Sequence, residues 1–148
     1  MLRGQAVRYQ LSFVRVFVTD WERALRFYTE TLGIPAAFRS DELGWAQLAT
    51  GEAQLALERL DPGDPEAAAL VGRFVGVSLQ VPEIDALHRT LSERGVEFLS
   101  PPERQPWGGI LAQLKDPDGN VITLLGRAAS SSRSETTPGT GGAPSRPS

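Results

Sequence analysis

The sequence predicts an α+β fold: two βαβββ modules, paired to form an open, curled mixed sheet around a pocket. Three observations predict it. Two period-two segments, Ser12 to Val18 and Val75 to Val81, each run into a helix-spaced apolar pattern. Each helical pattern closes on a glycine, Gly33 and Gly95. Each is followed by three short apolar stretches divided by turn residues. One unit therefore occurs twice in the chain. A four-stranded sheet with one helix has one covered face, and the other face calls for a partner sheet or a ligand.

In the first module, Val14, Val16 and Val18 alternate with Phe13, Arg15 and Phe17. The valines suit packing under a helix, and the other set suits a pocket wall. Asp20 is placed to cap a helix that carries Trp21, Ala24, Leu25, Tyr28 and Leu32, and Pro35 stops its continuation. Ala36–Phe38, Trp45–Ala49 and Gln54–Leu57 follow as three strands. A linker with Asp61–Pro62–Gly63–Asp64–Pro65 leads to a helical turn over Glu66–Val71.

In the second module, Val75, Val77, Leu79 and Val81 form the strand, and Pro82–Glu83 open a helix with Ile84, Leu87 and Leu91. A short strand from Val96 to Leu99 is expected to break at Pro101–Pro102. Trp107–Gly108–Gly109 leads into Ile110–Leu114, the turn Asp116–Pro117–Asp118–Gly119–Asn120 follows, and Val121–Leu125 closes the fold. The residues of that turn suit turn geometry rather than chemistry. The expected division is an N-terminal extension over 1–10, one domain over 11–126 (modules at about 11–60 and 73–126) and a disordered tail over 127–148.

Composition narrows the function classes. A net charge of -3 gives no electrostatic footprint for nucleic acid. No apolar run approaches the ~18 residues that span a bilayer, and the first ten residues lack the apolar core of a signal peptide. Cysteine is absent, which excludes disulfides and thiolate chemistry and fits a cytoplasmic location. Histidine occurs once, at His88, at the solvent edge of the second helix. One histidine cannot build a His-rich metal centre, and no base–nucleophile pair is visible.

Two strings carry a resemblance. They are Val16–Phe17–Val18–Thr19–Asp20–Trp21–Glu22–Arg23–Ala24–Leu25–Arg26–Phe27–Tyr28 closing at Leu32–Gly33, and Asp116–Pro117–Asp118–Gly119–Asn120–Val121–Ile122 after Trp107–Gly108. In this order and inside a repeat, they resemble the vicinal oxygen chelate superfamily. That superfamily includes glyoxalase I, bleomycin-resistance proteins, fosfomycin-resistance proteins and extradiol dioxygenases. The resemblance covers roughly Leu11 to Gly126 and implies the paired βαβββ architecture. It also implies a homodimer, sometimes with modules exchanged between chains; the residues alone fit a monomer with both modules paired internally equally well.

Metal-dependent proteins of that superfamily place His or Glu at four strand positions. Those positions align with Phe13, Ala56, Gly76 and Thr123 of this chain. Phe, Ala and Gly side chains cannot coordinate, and one Thr hydroxyl is a poor ligand. No metal, cofactor or catalytic residue is therefore expected. With Phe13 facing the pocket, period two brings Arg15 and Phe17 with it, and Gln54, Glu58, Gly76, Ser78, Gln80 and Thr123 from the other strands. Trp45 is a further wall, and Trp107 a rim residue.

The expected ligand-binding set is thus Phe13, Arg15, Phe17, Trp45, Gln54, Glu58, Ser78, Gln80, Trp107 and Thr123. Aromatic faces with neutral polar groups suit an amphipathic or aromatic organic molecule. Each side chain also has a structural alternative: core filling for Phe13 and Phe17, an ion pair for Arg15, and a packing anchor for Trp107. The expected function is metal-independent binding that sequesters a small molecule, like a bleomycin-resistance protein. The alternatives are a glyoxalase-like lyase or isomerase, or a dioxygenase-type enzyme, with Glu58 as base and Arg15 polarising a carbonyl, and an accessory module with a vestigial pocket.

Overall fold

A computed structural model describes residues 8–127 of the chain. The first module comprises β1 (Phe13–Val18), α1 (Trp21–Arg26), a π turn (Phe27–Thr31), β2 (Ala36–Ser40), β3 (Trp45–Leu48) and β4 (Gln54–Arg59). After α2 (Ala67–Leu70), the second comprises β5 (Phe74–Gln80), α3 (Ile84–Glu93), β6 (Glu97–Arg104), β7 (Gly109–Lys115) and β8 (Val121–Arg127). The strands form two four-stranded mixed sheets, ordered β1-β4-β3-β2 and β5-β8-β7-β6. β1 runs parallel to β4 and β5 to β8, while the remaining pairs are antiparallel. The linker after α2 meets the first sheet at one isolated parallel bridge, Phe17 with Val71.

The alternation in β1 sorts its two faces as the sequence predicts. Val16 and Val18 are buried against Trp21, Ala24 and Leu25 of α1, together with Ala46, Leu48, Leu55 and Leu57. In the second module Ile84 and Leu91 of α3 pack with Ile110, Ala112, Leu114, Ile122 and Leu124. α3 approaches β8 closely because Gly126 has no side chain, and a Cβ there would lie 2.6 Å from Ile84 Cγ2.

Three local expectations are corrected. The helix predicted to run from Trp21 to Leu32 is α-helical only to Arg26 and then widens into the π turn. Leu32 N donates to Phe27 O at 2.8 Å, five residues back, and the Thr29 hydroxyl bonds back to Leu25 O at 2.7 Å. The wide turn buries the adjacent Phe27 and Tyr28 together. Second, β6 continues through Pro101–Pro102 to Arg104. It is an edge strand with register shifts at Phe98/Ser100 and Ser100/Glu103, and there the missing proline N–H groups remove no ladder bond. Third, Arg127 ends β8 instead of starting a tail. The rest of the expected tail, and residues 1–7 of the expected N-terminal extension, lie outside the described residues. Among the described residues no helix is long and apolar enough to cross a membrane.

The turn between β7 and β8 joins the modules. Asp116 Oδ1 accepts from Asn120 N at 2.8 Å and Asp118 N at 2.9 Å, which shapes the turn itself. Its Oδ2 accepts from the buried Tyr28 hydroxyl of the first module at 2.7 Å. Asn120 Nδ2 donates to Phe17 O at 2.9 Å, and its Oδ1 accepts from Gly72 N at 2.8 Å. Asp118 Oδ1 accepts from the Thr19 hydroxyl at 2.7 Å and Thr19 N at 3.0 Å. Residues that read as turn geometry therefore also hold β1, the start of α1 and the linker against the second sheet.

Burial pushes the Asp116 carboxyl above its ordinary 3.8, against the lowering effect of the bonds from Asn120 and Tyr28. Burial, then the nearby Asp116 charge, holds the Tyr28 hydroxyl well above 10.0, so it stays a donor.

Tyr28→Phe removes a hydrogen bond to a buried carboxyl and should destabilise the protein by about 2 kcal/mol, read by urea unfolding. It should also raise the folded-state Asp116 value further. A raised carboxyl contributes stability that is fully present below 3.8 and lost as the pH rises through its folded value. The variant should therefore lose more stability than the wild type as the pH is raised above 3.8, and equal losses would contradict the clamp. Gly126→Ala drives a methyl into Ile84 and should cost about 1–3 kcal/mol in the same measurement.

Candidate functional site

Each module leaves one sheet face uncovered by its helix. On the first sheet, the register sets Phe17, Glu58 and Trp45 in one row across β1, β4 and β3. The next row holds Arg15, Ala56, Gln47 and, on β2, Phe38. Phe13 pairs with Gln54 in the third. Six predicted residues, Phe13, Arg15, Phe17, Trp45, Gln54 and Glu58, thus share this open face.

Their contacts are specific. The rings of Phe13 and Trp45 meet edge to face with centroids 5.5 Å apart. They come from rows on either side of Ala56, so they close over its methyl, which is fully buried. Phe13 itself remains 40% exposed. Arg15 Nη1 lies 3.1 Å from Glu58 Oε1, and its guanidinium stands 5.3 Å from the Phe17 centroid. Half-exposed, the ion pair adds little to stability; it orients both charges on the face. Trp45 Nε1 donates to Gln47 Oε1 at 2.8 Å, and Gln47 Nε2 donates to Gln54 Oε1 at 3.3 Å. A hollow of about 760 Å³ opens beside Phe13 and Gln54, with Ser12, Glu52 and Ala53 on its walls.

The second sheet places Ser78, Thr123 and Gln113 in one row, and Gln80, Leu125 and Leu111 in the next. Ser78 and Gln80 are exposed, whereas Thr123 is buried at 6% exposure. Gly76, expected to alternate inward, instead sits in an irregularity between Phe74 and Ser78 with φ at 81°. A side chain would be strained at that φ. Trp107 lies on the turn before β7, 39% exposed. A Cβ on Gly109 would fall inside the Trp107 ring. Gly109 alternates with Leu111 and Gln113, so the indole lies over Gly109 on the open face of the second sheet.

The ten predicted residues therefore divide between two faces, six on the first sheet and four on the second. Among the described residues no hydrogen bond or ring contact joins a side chain of one open face to a side chain of the other. A cavity of about 250 Å³ between the edges of β1 and β5 touches both modules, but only Arg15 and Phe17 of the predicted set line it. Sequence reasoning missed Gln47 and Phe38 on the first face, and Phe74, which pairs with Val121 and is exposed at the start of β5. Period two from Trp45 points to Gln47, while Phe38 and Phe74 sit beside register shifts that alternation does not reveal.

The four positions that hold metal in metal-dependent vicinal oxygen chelate proteins do not fit a metal in this chain. Phe13 is engaged with Trp45, Ala56 is covered, Gly76 offers no side chain, and Thr123 is one neutral hydroxyl. Among the described residues no three His, Asp or Glu side chains converge. His88, expected at the solvent edge, is half-buried on α3 with its ring 4.5 Å from Phe98.

The comparisons with known proteins agree with this architecture. The family model for the Glyoxalase/Bleomycin resistance protein/Dioxygenase superfamily matches residues 10–124. A superfamily member from Sphaerobacter thermophilus DSM 20745 is 31% identical with a TM-score of 0.67, covering 81% of this chain and 98% of that one. TnmS3, an antibiotic binding protein from Streptomyces sp. CB03234, is 32% identical with a TM-score of 0.64, covering 84% and 100%. A bleomycin resistance protein of Klebsiella pneumoniae is 29% identical over 113 residues, 72% of this chain and 83% of that protein. The paired βαβββ modules and these matches together make the chain a member of the Glyoxalase/Bleomycin resistance protein/Dioxygenase superfamily.

Proposed function

We propose that this protein is a cytoplasmic, metal-independent binding protein that sequesters a small amphipathic aromatic molecule. The observation that carries the reading is the open face of the first sheet. It holds a contiguous set of aromatic rings, two side-chain amides and one oriented ion pair, with no metal-ligating group at the four aligned positions. Such a face stacks on a flat ring and bonds its polar edge. The antibiotic-binding and bleomycin-resistance relatives support a small organic ligand. Glu58 is the one carboxylate that β1–β4 place on this face, and it is held by Arg15, which favours binding over proton transfer.

The binding unit is a homodimer. One chain leaves both faces uncovered, and a second copy sets the Ser78, Gln80, Thr123 and Trp107 face of one chain opposite the Phe13–Glu58 face of the other. Each dimer then has two equivalent clefts.

A panel of planar antibiotics and dyes should contain compounds that raise the melting temperature, because a ligand selective for the native state stabilises it. Phe13→Ala should weaken the binding of such a compound about tenfold, by loss of a stacking ring and of the cover on Ala56. Gly109→Ala, which lifts the Trp107 indole off its strand, should weaken it about fivefold. Both are read by quenching of tryptophan emission. A panel that leaves the melting temperature unmoved, or affinities indifferent to both variants, contradicts the reading.

A further inference from the structure

The Trp45–Gln47–Gln54 chain assigns a direction to the open face. An indole N–H can only donate. Gln47 must therefore turn its carbonyl Oε1 toward Trp45, which it meets at 2.8 Å. That orientation leaves the Gln47 Nε2 donors facing Gln54, so Gln54 must present its own Oε1, at 3.3 Å. Both amide orientations follow from the chemistry of one ring. Each carbonyl already accepts a bond, and the Gln54 Nε2 donors point away from the chain of bonds. Among the described residues they have no hydrogen-bond partner. Gln54 itself forms part of the wall of the hollow that Phe13, Ser12 and Glu52 also line.

We propose that this relay makes the site selective for aromatic ligands that carry a neutral carbonyl acceptor on the ring edge. The inference rests on the small-molecule reading above and specifies the ligand class. A ring N–H or O–H donor competes for amide oxygens that each already hold one bond, and it gains nothing from the Gln54 N–H groups. A ligand carboxylate meets the negative charge of Glu52 at the same hollow. A ketone, ester or amide oxygen receives the Gln54 N–H while its ring stacks against Phe13. Trp45 is a positioning residue in this scheme, because it acts on the ligand's oxygen through the two amides.

Three flat tricycles of nearly equal size separate these terms: fluorenone, which has a carbonyl, fluorene, which has no polar group, and carbazole, which has an N–H donor. Equilibrium dialysis of the full chain against each gives the affinities. The wild type should hold fluorenone about fivefold more tightly than either of the others, the worth of one net hydrogen bond. Gln54→Leu and Trp45→Phe should each bring the fluorenone-to-fluorene ratio to within about twofold, whatever they do to the absolute affinities. Equal binding of the three by the wild type, tighter carbazole, or a ratio that survives both variants overturns the relay and leaves the aromatic site standing. Failure of all three to bind overturns the relay and the site together.

Discussion

Each module has one helix and a sheet with two faces, and most of the molecule follows from that imbalance. The apolar alternation in β1 commits Val16 and Val18 to α1, and the residues between them have no helix to pack on. An uncovered face of Phe, Trp and Phe exposes apolar surface that costs free energy in water. The first sheet reduces that cost by folding Phe13 and Trp45 over Ala56, but it leaves rings accessible. The second sheet lays Trp107 on Gly109 to similar effect. In the proposed binding unit, a ligand and a second copy of the chain complete what the helices leave open.

The imbalance matters only if the modules keep a fixed relation, and the turn from Asp116 to Asn120 supplies it. Asp116 meets Tyr28, Asn120 meets the chain at Phe17 and Gly72, and Asp118 meets Thr19. These bonds are partly or wholly shielded from water, where an unpaired partner is expensive. The π turn belongs to the same device, since it carries Tyr28 to the core side beneath Asp116. The apolar core positions each sheet, and the polar junction positions one sheet against the other.

Much of this was legible in the residues. Alternation, helix caps and terminal glycines located the modules, because those signals are local. That Phe13, Arg15, Phe17, Trp45, Gln54 and Glu58 share one face was legible for the same reason: period two in β1 and β4 sorts them. What escaped was non-local. Pro101–Pro102 reads as a break unless β6 is known to be an edge strand. Phe74 and Phe38 sit beside bulges, where alternation fails. The π turn depends on a partner, Asp116, that is 88 residues away. The division of the ten residues between two faces also needed coordinates, since both patterns look inward when read along the chain.

The central claim is that the two open faces form metal-free clefts across a dimer. Native mass spectrometry of the untreated protein, with a panel compound added, tests it most directly. The account predicts twice the chain mass, no bound metal ion, and up to two ligands per dimer. A monomer that binds the ligand, or a dimer carrying a stoichiometric divalent metal, would contradict it.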